Sequence, residues 1–242
     1  MIKFFRRIRQ KLLSENRVSK YTLYAIGEIV LVVLGILIAL QINNWNERRK
    51  NEVKAKDYLA SIQADLYQDL QEIESMKNWK TRVYCFLKAF PDLHLSKNAI
   101  SKYVGLNLDE TNCEITYRFM FNYEKSFRSN SSAFDAIISE GNANLISDKT
   151  LFSKIQYHYK FNNPAMLDLY NNHRAQSSIL KHKYAHLITF EPYTNITEIK
   201  DSTLIADLNV FYSEKQMYVN QLFRIERVIN EAITEINAEL NE

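Results

Sequence analysis

Tyr21 to Ile42 is a run of 22 residues with one charged side chain, Glu28, and its centre, Ile29 to Leu40 (IVLVVLGILIAL), is apolar without interruption. At 1.5 Å per residue a helix of that length spans roughly 33 Å, which matches a hydrocarbon core of about 30 Å. Tyr21 and Tyr24 stand at one end and Trp45 at the other, where interfacial aromatic side chains belong. A cleaved signal peptide has an apolar region of only about 7–15 residues and ends in a small-residue site. Here the run passes instead into Gln41-Ile42-Asn43-Asn44-Trp45. Residues 21–45 therefore read as an uncleaved signal anchor, and the lipid bilayer is the first partner implied.

The net charge of +3 is unevenly spread. Residues 1–20 carry +6, from Lys3, Arg6, Arg7, Arg9, Lys11, Arg17 and Lys20 against Glu15; residues 21–45 carry −1, and the rest −2. Downstream of Trp45 come Arg48, Arg49, Lys50, Lys54 and Lys56, diluted by Glu47, Glu52, Asp57 and Asp65. The excess of flanking cations upstream places the N-terminus in the cytosol and the larger segment outside. Within residues 2–13 (IKFFRRIRQKLL), Ile2, Phe5, Ile8, Leu12 and Leu13 share one helical side, with the cations Lys3, Arg6, Arg7, Arg9 and Lys11 around them. That is the pattern of a basic amphipathic helix on an anionic membrane surface. Topology accounts for these charges, so no nucleic-acid partner is expected.

The block FFRRIRQKLL followed by SKYTLYAIGEIVLVVLGILIALQINNWNERRK resembles the N-terminal signature of an uncharacterised family of single-pass membrane proteins from Bacteroidota. The likeness rests on the basic start, the Tyr-Ala-Ile-Gly-Glu entry into the membrane helix and the Gly-Ile-Leu-Ile-Ala-Leu-Gln-Ile-Asn-Asn-Trp exit. A weaker echo lies at Ser132–Tyr159, with Ala133-Phe134-Asp135, Ser139-Glu140-Gly141, Leu145-Ile146 and Tyr157-His158-Tyr159. The resemblance implies a location and an architecture, an inner-membrane anchor with a periplasmic domain, and no activity.

Glu28 lies inside the apolar run, where a carboxyl costs roughly 2.5–3.5 kcal/mol unless neutral, paired or hydrated. At about 100° per residue, Tyr24, Glu28, Gly35, Ala39 and Asn46 fall within about 60° of one another. Gly35 and Ala39 form a small-xxx-small pair that lets helices approach closely. One stripe thus joins small residues to the one charge, which predicts packing against another copy or another membrane protein. Glu28 then reads as a carboxyl hydrogen-bonded at that helix interface, as one paired with a basic group, or as an ion-coupling carboxylate. The last layout is similar to the single-pass subunits of proton-motive-force-driven complexes, although no peptidoglycan-binding motif follows.

Beyond the anchor the spacing predicts an all-α domain over residues 46–242, a helical bundle on a stalk. Four Gly and three Pro in the whole chain leave few turns for sandwiches or barrels. Residues 46–90 predict one long helix with a stripe of Ala55, Leu59, Ile62, Leu66, Leu70, Ile73, Met76, Val83, Tyr84 and Leu87. Residues 203–241 predict a second, with Leu208, Phe211, Tyr218, Leu222, Ile225, Ile229, Ile233, Ile236 and Leu240. The two would pair in coiled-coil fashion. Between them, Asn130-Ser131-Ser132 can cap a helix ending before Gly141, Ser147-Asp148 can cap another ending near Phe161, and Pro164 can start a third reaching about Ile188. Residues 106–128 predict helix or loop.

The chain has no phosphate-binding, dinucleotide-binding, nucleophile-elbow or zincin motif. His182 and His186, with His173 and Glu191, have ligand-like spacing beside the cationic Lys181-His182-Lys183, and partly exposed helix histidines explain them better than a metal. Acids such as Glu72, Glu74, Glu226, Glu231 and Glu235 read as solvated faces. No cofactor, metal or catalytic residue is expected. Cys85 and Cys113, 28 residues apart, read as isolated buried thiols or, if the domain lies in an oxidising compartment, as partners able to form a single disulfide. The functional expectation is an oligomerising scaffold or binding module of the cell envelope. An ion-coupled accessory subunit using Glu28 and an unrecognised enzyme are the alternatives.

Overall fold

The computed structural model describes Arg6, Gln10, residues 18–91, Tyr103, Leu106, Leu108 and residues 113–241. Lys3, Arg7, Arg9 and Lys11 lie outside the described residues; Arg6 is exposed. The protein is all-α, and among the described residues extended backbone pairs only at the isolated Thr116–Asn195 bridge. The chain divides into two units, Met1–Lys54 and Ala55–Glu242.

Helix α1 runs from Val18 to Ser75. Its N-terminal part is long and apolar enough to cross a membrane, and none of that window is buried within the chain. Leu31 is 70% exposed and Ile29 63%.

In the second unit the stripe of α1 is buried at Ala55, Leu59, Ile62, Leu66, Ile73 and Met76. The helix expected over 46–90 is not continuous. Met76 leaves the helical region (φ −91°, ψ 17°), and α2 restarts at Lys77–Ala89. The cause is tertiary rather than local. Met76, Trp79, Lys80, Thr81, Val83, Cys85, Phe86 and Leu87 are all buried, so α2 is enclosed on most sides and the phase of the stripe shifts.

From residues 113 to 131 the chain is irregular, and it is held by backbone bonds to residues 192–196. Tyr117 N donates to the Thr194 carbonyl (2.9 Å), Arg118 N to Pro192 (3.1 Å) and Ile196 N to Ile115 (2.8 Å). Helix α3 (Ser132–Ser139) stops at Gly141, whose φ of +70° favours a residue without Cβ. Gly141 N bonds the Ile138 carbonyl and Asn142 N the Ile137 carbonyl, closing the two-bond C-terminal motif. Helix α4 (Lys149–Tyr157) is capped by Asp148, which accepts from Thr150 N and Leu151 N. It passes through a wide turn, His158–Asn162, into α5 (Asn163–Lys183). The third helix ends earlier than the expected Ile188, because Tyr184 breaks it (φ −106°, ψ 25°) before α6 (Ala185–Phe190). Tyr184 turns its ring onto Phe121 (5.7 Å). Helix α7 (Ser202–Asn241) buries its stripe from Leu204 to Ile236, packing chiefly on α2, α4 and α5.

Cys85 on α2 is bonded to Cys113, with Cα atoms 4.9 Å apart. Closing a loop of this length should contribute about 3 kcal/mol by restricting the unfolded chain. Cys85→Ser with Cys113→Ser should therefore lower the urea unfolding free energy by about that amount. A double variant as stable as the wild type would show that the bond adds nothing to the fold.

Candidate functional site

Three places could carry function: the exposed stripe of α1, a polar node where α1 meets the start of α3, and a lysine enclosed by aromatic rings on α7.

Tyr24, Glu28, Gly35 and Ala39 all lie on α1 and are exposed. At Gly35 a Cβ would meet nothing within 4 Å, so the surface there is open to a neighbour. The helical phase that puts these residues on one side follows from α1 being unbroken through residue 75.

The node was not visible in the sequence reading. Asp65 and Asp69, one turn apart on α1, are 6% and 1% exposed. Asp65 accepts from Ala133 N (2.8 Å), Ser132 Oγ (3.1 Å) and Asn130 Nδ2 (2.9 Å). The first amides of α3 thus have two acceptors: Asn130 Oδ1 takes Ser132 N (3.2 Å), as local spacing suggested, and Asp65, an acid from another helix, takes Ala133 N. Asp69 accepts from Asn130 N (2.7 Å) and from Ser129 Oγ, and its Oδ2 lies 3.1 Å from His158 Nε2. Ser129 Oγ is also 3.1 Å from His158 Nε2.

Serine, histidine and aspartate in contact invite comparison with a nucleophilic triad. There the acid binds Nδ1 and the hydroxyl binds Nε2, so that the ring relays between them. Here both groups meet His158 at Nε2, and Nδ1 is buried without a partner. Ser129 donates straight to the carboxylate, which leaves its hydroxyl oriented away from any base function. The arrangement fixes the 129–133 segment on α1 and gives no activated nucleophile.

Lys215 occupies a stripe position of α7 between Phe211 and Tyr218 and is 0% exposed. Its Nζ donates to the Asn122 carbonyl (2.9 Å) and stands 5.1 Å from the Trp79 ring and 5.5 Å from Tyr212. Burial lowers its pKa to about 7; Glu124 opposes the shift, while Arg82 and Lys181 add to it. The ring faces favour the cation and make up part of the lost hydration. Beside it His173 is also wholly buried, stacked 4.2 Å from Phe211. Neither nitrogen of His173 has a partner, and burial followed by the Lys215 charge pushes its pKa down to about 3. The ring is a neutral filler of the core at ordinary pH.

His173 thus departs from the expected exposed histidine. His182 and His186 are exposed but belong to different helices, since Tyr184 separates α5 from α6. Among the described residues no three His, Cys, Asp or Glu side chains converge as metal ligands. Several acids taken for solvated faces are instead paired: Glu226 with Lys80 (3.3 Å), Glu72 with Lys125 (2.9 Å) and Glu235 with Lys154.

Residues 28–216 match the model of a family of unknown function (DUF6090). The chain belongs to that family. The DUF6090 match begins at Glu28 and takes in the polar node, the Cys85–Cys113 bond, His173 and Lys215. No curated protein and no solved structure matches the chain significantly.

Proposed function

We propose that the protein is a scaffold or binding module of the cell envelope. Residues 21–45 anchor it in the inner membrane with the N-terminus in the cytosol and the helical unit Ala55–Glu242 in the periplasm, and it assembles with further copies through the stripe of α1. The observation that carries this reading is the first part of α1, an apolar helix of which nothing is buried within the chain. On one side of it a carboxyl and two small residues are aligned. The Cys85–Cys113 bond supports an oxidising compartment for the second unit. Buried ionisable side chains of that unit, among them Asp65, Asp69, Lys80, His158, His173 and Lys215, are enclosed by the core.

Cross-linking in native membranes should give discrete higher-mass species, and monomer alone under several chemistries would end the proposal. A reporter active only outside the cytosol, fused after Glu242, should be active; activity of a cytosolic reporter there would reverse the topology. Glu28→Gln should leave assembly intact, because an amide of similar volume still bonds across helices. Glu28→Leu should weaken it by about 1–2 kcal/mol, the usual worth of an interhelical hydrogen bond. A Gln variant that assembles normally but abolishes the cellular phenotype would favour ion coupling by Glu28 instead.

A further inference from the structure

A cleft of about 440 Å³ opens on α5, lined by Tyr123, Asn171, Arg174, Ser177, Ser178 and Lys181. Arg174 and Lys181 lie two turns apart on the helix and converge on one ring. The Arg174 guanidinium carbon is 5.8 Å from the Tyr123 centroid and the Lys181 Nζ is 5.4 Å from it. The floor is fixed. Ser177 Oγ donates to the Phe121 carbonyl, and Tyr123 packs edge-on against Tyr170 (6.1 Å).

Several cations of the unit pair with acids: Lys80 with Glu226, Arg82 with Glu124, Lys125 with Glu72, Lys154 with Glu235, and Lys183 of α5 with Asp207 of α7. No carboxylate among the described residues pairs with Arg174 or Lys181. Two cations, Arg174 and Lys181, therefore face one concave surface without a paired acid, and Asn171 and Ser178 add neutral hydrogen-bonding groups to its wall. Fixed positive charge in a concave site raises the local concentration of anions, and an arginine beside a lysine suits a planar acid group next to a second, less directional one.

We infer that this cleft is a binding site for a small anion bearing two acidic groups, held between Arg174 and Lys181 over the Tyr123 ring. The inference is independent of the proposed membrane assembly, because every residue involved lies in Ala55–Glu242.

The test is isothermal titration calorimetry of citrate, succinate and inorganic pyrophosphate into the full chain, held in nanodiscs of zwitterionic lipid so that no anionic headgroup competes. At least one of these anions should bind saturably, one per chain, with a Kd in the millimolar range or tighter. Binding should weaken as sodium chloride is raised, and neutral glycerol and cationic putrescine should give no saturable signal. Arg174→Gln with Lys181→Gln should weaken binding by roughly tenfold or more while leaving the unfolding midpoint unchanged. No saturable binding by any of the three anions overturns the inference. So does equal binding by the folded double variant, or wild-type binding indifferent to salt.

Discussion

Between pH 7 and pH 10 the helical unit should become more stable as base is added, by about 3–4 kcal/mol, because of Lys215 alone. The folded side chain loses its proton at about 7, whereas an unfolded lysine holds it to about 10.4. Inside that window the unfolded state binds the extra proton, so raising the pH favours the fold. Below pH 7 both states are protonated and the cost of enclosing the charge is present in full. Above pH 10 the direction reverses. Burial raises the phenol pKa of Tyr103, Tyr159 and Tyr212, and pushes that of Tyr218 up to about 12, so the unfolded chain ionises first. On the acid side His173 acts alike: the unfolded ring takes up a proton below about 6.5, the folded ring only near 3, and stability falls across that interval. Lys215→Met should abolish the rise between pH 7 and pH 10. It should also exceed the wild type at pH 6, since an unbranched apolar chain fits the rings and the Asn122 carbonyl forfeits only about 1 kcal/mol. Urea unfolding of the full chain in nanodiscs at pH 6, 7, 8, 9 and 10 measures both. A wild-type curve flat from pH 7 to 10 would mean that Lys215 does not pay for its burial as described.

Asp69→Ala should destabilise the unit by about 4 kcal/mol, the range seen when a buried charged acceptor is removed and its donors are left behind. Three groups lose their acceptor together: Asn130 N, Ser129 Oγ and His158 Nε2. Asp69→Asn, which keeps one oxygen for Asn130 N, should cost about half as much, and Ser129→Ala about 1 kcal/mol. The ordering separates a structural node from a catalytic one, because in a nucleophilic triad the serine would be the sensitive position for activity and the aspartate of little consequence for stability. Urea midpoints for the three variants decide it. An alanine variant within 1 kcal/mol of the wild type would show that the node contributes little.

Periodicity was enough to read the all-α class and most of the apolar positions that the helices bury. What it missed has a common cause. Asp69 falls between Leu66 and Ile73 at the spacing of core positions, His173 between Met166 and Leu180, and Lys215 between Phe211 and Tyr218. Each is a polar residue standing where the apolar repeat calls for a hydrophobic one. Counting only the apolar members of a stripe passes over such residues, although their register alone marks them as buried. The breaks at Met76 and Tyr184 had no such signal. Neither involves glycine or proline, and both arise because a side chain, Trp79 in one case and Tyr184 in the other, is turned into a core assembled from distant segments. The cleft on α5 was equally hidden, since Tyr123 reaches Arg174 and Lys181 only after residues 113–131 have been laid against the bundle.

The pairing of α2 with α7 also fixes an order of events during biosynthesis. Trp79 stacks on Tyr218 at 4.3 Å and Phe86 on Tyr212 at 4.1 Å, while Gln63 bonds Asn237 across 174 residues. None of these partners exists until translation has passed α7. The face of α2 must therefore wait, uncovered, while well over a hundred further residues follow it. Contacts so distant in sequence form late and slowly. The core of the unit therefore closes only once α7 has been made, and until then the aromatic face of α2 stays uncovered.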